Sequence, residues 1–169
     1  SAGDVIARAL GTYDVVLIGP GLSTAPGVQS TVRGLLTSEA VRDIPVVLDA
    51  DALNCLARFA SWTERLTARA VMTPHPGEFA RLASTTTVAV QEERLPAVQR
   101  LAGQWTQTVV LKGAHTVIAS PGGATLVSPF ANAALATAGT GDVLAGAIAG
   151  LMAQGVQPGD AAGLGVYLH

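Results

Sequence analysis

The chain has 169 residues, 49% hydrophobic, 13% charged and 4% aromatic, with a formal net charge of −2. That length suffices for one domain with a real core. The lack of a basic patch argues against nucleic-acid binding, and Gly, Pro, Asp and Lys interrupt every apolar run before it reaches bilayer length. A single cysteine, Cys55, excludes an internal disulfide, and the opening Ser1–Asp4 has no signal-peptide pattern, so a cytoplasmic address is expected.

Residues 4–10 read as the end of a helix. Tyr13–Ile18 is a short apolar run ending in Gly19-Pro-Gly-Leu22, and a helix over about 27–40 completes a βα unit. Ile44–Asp49 is a second strand. Asp51 then reads as the N-cap of a helix through about Arg58 that carries Cys55 as a small buried hydrophobe. A short helix is expected over 63–69. Ala70–Thr73 is a third strand, ending at Pro74-His-Pro-Gly-Glu78, with helices over about 77–82 and 90–103 behind it. Thr108–Lys112 is a fourth strand. Thr116–Ala119 and Ala124–Val127 return as further strands, and two helices follow, over about 141–154 and from about Pro158 to the end. Short apolar strands alternating with helices predict an α/β fold, a mostly parallel sheet covered on both faces, with residues 108–127 as an antiparallel edge. No repeat or linker divides the chain, so a single domain over 1–169 is expected.

The chain is organised around Asn132–Asp142, which runs into the alanine-rich stretch Val143–Gln154. Gly139, Thr140 and Gly141 leave amides uncovered at the start of a helix, where the first N–H groups lack internal partners and the dipole is positive. Such a loop can hold a phosphate with backbone alone. Asp142, beside it, suits a base that takes a proton from a hydroxyl, and the pair suggests phosphoryl transfer to an alcohol. Thr140 capping an ordinary helix, with Asp142 complementing its dipole, is the plainer reading. The helix is apolar all round, which predicts burial on every face, with Gly146 and Gly150 allowing close approach to the sheet.

In open α/β sheets ligands lie at the carboxyl ends of the strands. Polar or glycine-rich segments fall at four of these ends: 19–22, 49–54, 73–78 and 112–116. Gly19–Leu22 permits close backbone approach, yet it is neither a complete dinucleotide fingerprint nor part of a Walker A loop. Asp49 and Asp51 could help hold Mg²⁺, although helix capping is the simpler role for Asp51. His75 sits on a ledge stiffened by two prolines and could donate hydrogen bonds to a substrate. Lys112 could meet a nucleotide phosphate, or be a solvated hairpin lysine.

Leu48–Asn54, Thr73–Glu78, Lys112–Thr116 and Asn132–Leu144 stand in the order and wording of one family. Over essentially its whole length the chain resembles the ADP/ATP-dependent NAD(P)H-hydrate dehydratases. The resemblance implies a three-layer ribokinase-like fold and a repair lyase. Hydrated NADH or NADPH would be dehydrated to the normal cofactor, with ADP or ATP as phosphoryl donor and Mg²⁺ accompanying the phosphates. It implies Asp142 as the base. Gly21 and His75, with Asp142, would contact the hydrated nicotinamide nucleotide. Lys112, Gly113, Ala114, His115, Thr116, Asn132, Thr140 and Gly141 would hold the donor nucleotide. No residue set announces a dedicated metal cage. A homo-oligomer is implied. Two departures stand out: Ala131-Asn132 replaces the usual Gly-Asn, and the family's domain is longer at both ends, which reads as a fragment with an exposed sheet edge. A ribokinase-like kinase acting on a vitamin-precursor alcohol is the competing enzyme, and a nucleotide-binding remnant without turnover is the non-enzymatic alternative.

Overall fold

The computed structural model of the protein describes residues 2–131 and 137–169, with Asp4 described by its backbone alone. Its helices are α1 (Ala2–Ala9), α2 (Pro26–Leu36), α3 (Ala50–Ala57), α4 (Trp62–Arg65), α5 (Pro76–Leu82), α6 (Thr87–Glu92), α7 (Arg94–Trp105), α8 (Thr140–Ala153) and α9 (Pro158–Leu168). The strands are β1 (Val16–Ile18), β2 (Val46–Leu48), β3 (Ala70–Met72), β4 (Thr108–Leu111), β5 (Val117–Ala119) and β6 (Thr125–Val127). They form one sheet in the order β1-β2-β3-β4-β5-β6. β1 to β4 are parallel, and β5 and β6 return antiparallel, as expected for the edge over residues 108–127.

Strand side chains alternate between faces, and the alternation sorts them into two cores. Val46, Leu48, Ala70, Met72, Val109 and Leu111 face the layer of helices α2 to α7, while Val47, Val71, Val110 and Ile118 face α8 and α9. Crossovers of one hand, stepping along the sheet in one direction, must lie on one face. The other face is left for the last two helices, which gives three layers. Trp62, Phe79 and Trp105 form a contiguous aromatic group in the first core, at 5.1 and 5.4 Å between ring centres.

Three local expectations are corrected. Helix α8 is buried on one face only, at Leu144, Ala145, Ile148 and Met152; Val143 is 65% exposed. One helix meets the sheet along a single stripe, and its remaining apolar residues are mostly too small to signal that they face outward. Gly146 and Gly150 have no neighbour where a Cβ would stand. The close approach in this layer is between the two helices, where a Cβ on Gly165 of α9 would lie 2.6 Å from Ile148 Cγ1 of α8. Asp51 is not the cap of α3: Asp49 holds that position, Ala50 follows with φ +47, and Asp51 lies in the first turn. The single helix expected over 90–103 is two, because Pro96 has no N–H for the Glu92 carbonyl and its ring would strike it.

A candidate phosphoryl-transfer site at the carboxyl edge of the sheet

Parallel β1 to β4 bring their four carboxyl ends to one edge, and backbone contacts lock the following loops together. Gly19 has φ +142, and a Cβ there would lie 1.7 Å from the Asp49 carbonyl oxygen, so only glycine lets the first loop cross the second. Asp51 Oδ2 accepts the Ser23 amide at 2.8 Å and anchors the far end of the loop that holds Gly21. This bond gives Asp51 a role other than the expected cap. Thr73 Oγ1 donates to the Leu48 carbonyl at 3.3 Å, and the Lys112 amide donates to the Pro74 carbonyl at 2.9 Å. The Arg94 guanidinium donates to Gln91 Oε1 and to the carbonyls of Leu111 and Lys112, bracing the fourth end from behind.

The start of α8 faces this edge. Gly139 enters it with φ +91, and the Thr140 hydroxyl donates to the Thr137 carbonyl at 2.9 Å. Gly141 and Asp142 lie in the first turn, where a helix offers their amides no carbonyl four residues back. A Cβ on Gly141 would stand 3.2 Å from Lys112 Nζ and 3.7 Å from Asp49 Oδ2. Lys112 Nζ is itself 2.7 Å from Asp49 Oδ1, and Asp49 is almost wholly buried. The lysine ammonium, a buried carboxylate and the positive end of α8 therefore meet at one point. Asp49 offsets the charge of the lysine, and the helix start adds positive potential at the same point. Asp142 stands exposed beside them.

Beyond this point a cavity of about 880 Å³ runs between the strand ends and the last helix. It brings together Lys112, Gly113, Ala114, Thr116, Thr140 and Gly141 of the residues singled out by sequence. His115 stands apart: its φ is +55 and its Nδ1 lies 3.2 Å from the Ser128 carbonyl. Gly21, His75 and Asp142 are not in the cavity wall. Asn132 lies outside the described residues. Sequence reasoning missed the apolar wall, where Phe130 and Tyr167 stand 6.0 Å apart. The available signal was the antiparallel return, since the end of β6 must come back to the edge at which β4 ends.

The His75 imidazole does more local work than expected. Its Nδ1 accepts the amides of Gly77 and Glu78 at 3.0 and 3.3 Å, while Glu78 Oε2 accepts the His75 amide at 2.8 Å. This is a capping box with histidine in place of serine. An accepting Nδ1 places the proton on Nε2, which lies 3.4 Å from Glu78 Oε1 and is the donor left for a ligand. Burial, followed by the charges of Lys112 and Arg81, holds the imidazole below its ordinary pKa. Burial pushes the Glu78 carboxyl up, partly offset by the His75 amide.

Among the described residues, no group of three or more His, Cys, Asp or Glu converges to hold a metal ion. Asp49 is already paired with Lys112. The donor set does not fit a resident Mg²⁺. No described helix is long and apolar enough to cross a membrane.

The family model for NAD(P)H-hydrate dehydratase matches residues 2–169. The chain is 48% identical over 166 residues to the bifunctional NAD(P)H-hydrate repair enzyme Nnr of Moorella thermoacetica, covering 98% of this chain and 31% of that one. Among solved structures it is similar to the ADP/ATP-dependent NAD(P)H-hydrate dehydratase of Bacillus subtilis co-crystallised with ATP/Mg²⁺, at 36% identity and TM-score 0.78, over 96% of this chain and 58% of that one. A ribokinase-like superfamily protein of Enterococcus faecalis matches at 30% identity and TM-score 0.80, over 98% of this chain and 56% of its own. The architecture is thus the ribokinase-like α/β fold expected from the sequence. The chain spans about a third of the length of the repair enzyme it matches.

Proposed function

This chain belongs to the NAD(P)H-hydrate dehydratase family, and we propose that it is a single domain carrying the dehydratase chemistry: ADP- or ATP-dependent return of hydrated NADH or NADPH to the reduced cofactor. The observation that carries the reading is the meeting of the α8 N-terminus with the Lys112–Asp49 pair at the carboxyl edge. A terminal phosphoryl group arriving there meets the first-turn amides and a lysine, while Asp142 stands exposed at the same helix start.

In this reading Asp142 takes the proton from the ring hydroxyl as its oxygen attacks the terminal phosphorus of the nucleotide. The phosphorus–oxygen bond to the nucleotide breaks, leaving AMP from ADP or ADP from ATP. The amides of Gly141 and Asp142, with Lys112, balance the charge that builds on the phosphoryl oxygens. The phosphate then departs from the ring carbon with the C–O electron pair, an adjacent C–H proton is lost, and the ring double bond reforms. Lys112, Gly113, Ala114, Thr116, Thr140 and Gly141 line the donor-nucleotide site, and the family resemblance assigns His115 and Asn132 to the same nucleotide. Gly21 and the Nε2–H of His75 contact the hydrated nicotinamide nucleotide. Mg²⁺ would accompany the nucleotide phosphates as their counterion, held by the phosphates and not by a resident side-chain cage among the described residues. The buried free thiol of Cys55 suits the reducing cytoplasm, and exposed Leu17 and Val143 suit a homo-oligomer.

The test is the absorbance of reduced nicotinamide after mixing the chain with hydrated NADH, ADP and Mg²⁺. We expect an ADP-dependent rise that falls by about 10²–10⁴-fold in Asp142→Asn. A stable phosphorylated alcohol in place of free phosphate would make it a kinase. ADP binding without turnover would leave the nucleotide site and remove the activity. The loss of both would overturn the assignment.

A further inference from the structure

A second cluster of cationic side chains stands away from the catalytic edge. It lies at the opposite edge of the sheet, where α2 ends before β2 and the Phe59–Arg65 segment leads toward β3. The two segments are tied together: the Thr67 hydroxyl donates to the Leu36 and Ser38 carbonyls at 3.1 and 2.8 Å. Between them runs an open groove of about 520 Å³, lined by Ser30, Arg33, Gly34, Thr37, Phe59 and Arg65.

The guanidinium carbons of Arg33 and Arg65 each lie 5.6 Å from the centre of the Phe59 ring. Both also line the one groove, so a single ligand lying in it is flanked by both. Neither has a carboxylate partner among the described residues, whereas Arg42 is paired with Glu39 at 2.6 Å. A basic residue in the last turn of a helix complements the dipole, and that accounts for Arg33 on α2 and Arg65 on α4 taken singly. It does not account for two like charges, from different helices, converging on one aromatic ring. Each guanidinium lies within cation–π range of the ring, and both side chains line the groove. Gly34 keeps the floor clear, with nothing within 4 Å of where its Cβ would stand.

We infer that this groove binds the phosphate group of a small phosphorylated metabolite, at a site separate from the catalytic edge. One guanidinium fork saturates the two oxygens of a carboxylate, whereas two forks and the Ser30 hydroxyl match the larger number of oxygens on a phosphate. The groove has room beyond the phosphate for the body of an ester.

The test is backbone-amide NMR of the whole chain titrated with inorganic pyrophosphate and, separately, with succinate. Saturable shifts at residues 30–37 and 59–65 with pyrophosphate are expected. They should weaken by at least about tenfold in the Arg33→Gln, Arg65→Gln double variant. Shifts at 112–116 and 140–141 should persist in that variant, which also shows that it is folded. Shifts confined to the catalytic edge, groove shifts that survive the double substitution, or an equal response to succinate would each overturn the inference.

Discussion

Single residues at the carboxyl edge carry constraints that a substitution exposes directly. At Gly19 a methyl group would meet the Asp49 carbonyl oxygen at 1.7 Å with φ at +142. Neither loop can yield without moving a strand end, so Gly19→Ala should cost roughly 3 kcal/mol or more in urea unfolding, or prevent folding. His75 gives a pH dependence whose sign follows from its cap. Its folded pKa lies below the ordinary 6.5, because burial and the nearby Lys112 and Arg81 charges disfavour the imidazolium. Between the lowered value and 6.5, the unfolded chain binds a proton that the folded chain does not. This contribution to stability is complete above 6.5 and is lost as the pH falls toward the folded value. Protonation also removes the Nδ1 acceptor from the Gly77 and Glu78 amides. Glu78 works in the opposite sense: with its folded pKa above 4.5, its contribution is present below 4.5 and is lost as the pH rises through the folded value. His75→Asn keeps an acceptor at the cap and removes the titration. Urea midpoints across this range should fall with acid in the parent protein, and the His75 part of that fall should vanish in the variant.

At the scale of elements, α8 and α9 decide how the second core closes. Their contact runs through Gly165, where an added methyl would meet Ile148 Cγ1 at 2.6 Å. Gly146, on the outer side of α8, has nothing within 4 Å. The two glycines should respond oppositely to alanine. Gly146→Ala should stabilise by about 0.5–1 kcal/mol through helix propensity. Gly165→Ala should destabilise by about 1–3 kcal/mol through overpacking. Thermal unfolding of the two variants separates them, and a stabilising Gly165→Ala would refute the packing described for these helices. The same contact bears on the site, because α8 carries Gly141 toward Lys112. If the proposed nucleotide site is right, a shift of its N-terminus should weaken ADP binding before it unfolds the domain.

For the whole molecule, two cores of unequal size share one sheet, and apolar side chains remain outside both. Val143 is 65% exposed on α8, and Leu17 is 37% exposed on β1, the outermost parallel strand. An uncovered strand edge with apolar neighbours favours association. The proposed homo-oligomer predicts that Leu17→Lys with Val143→Lys lowers the mass seen by light scattering without changing the far-UV circular dichroism. An unchanged mass would place the contact elsewhere.

The strands and the position of each loop at the carboxyl edge were legible in the sequence, because short apolar runs and Gly or Pro punctuation act locally. So were the glycine-rich entry to α8 and the placement of Asp142 beside it, since helix starts are set by neighbours in the chain. The three layers followed from alternating strands and helices. What tertiary structure alone decided are the pairings between distant segments. Lys112 meets Asp49 across 63 positions, a distance that only the order of β2, β3 and β4 closes. The exposed side of α8, the role of Gly165 and the wall of Phe130 and Tyr167 depend on which surfaces the sheet leaves uncovered. Even the His75 cap was hidden, because its prolines and the neighbouring glutamate gave a helix start without the usual serine or threonine. Local chemistry names the candidates, and only packing, which acts between segments far apart in the chain, determines which of them meet.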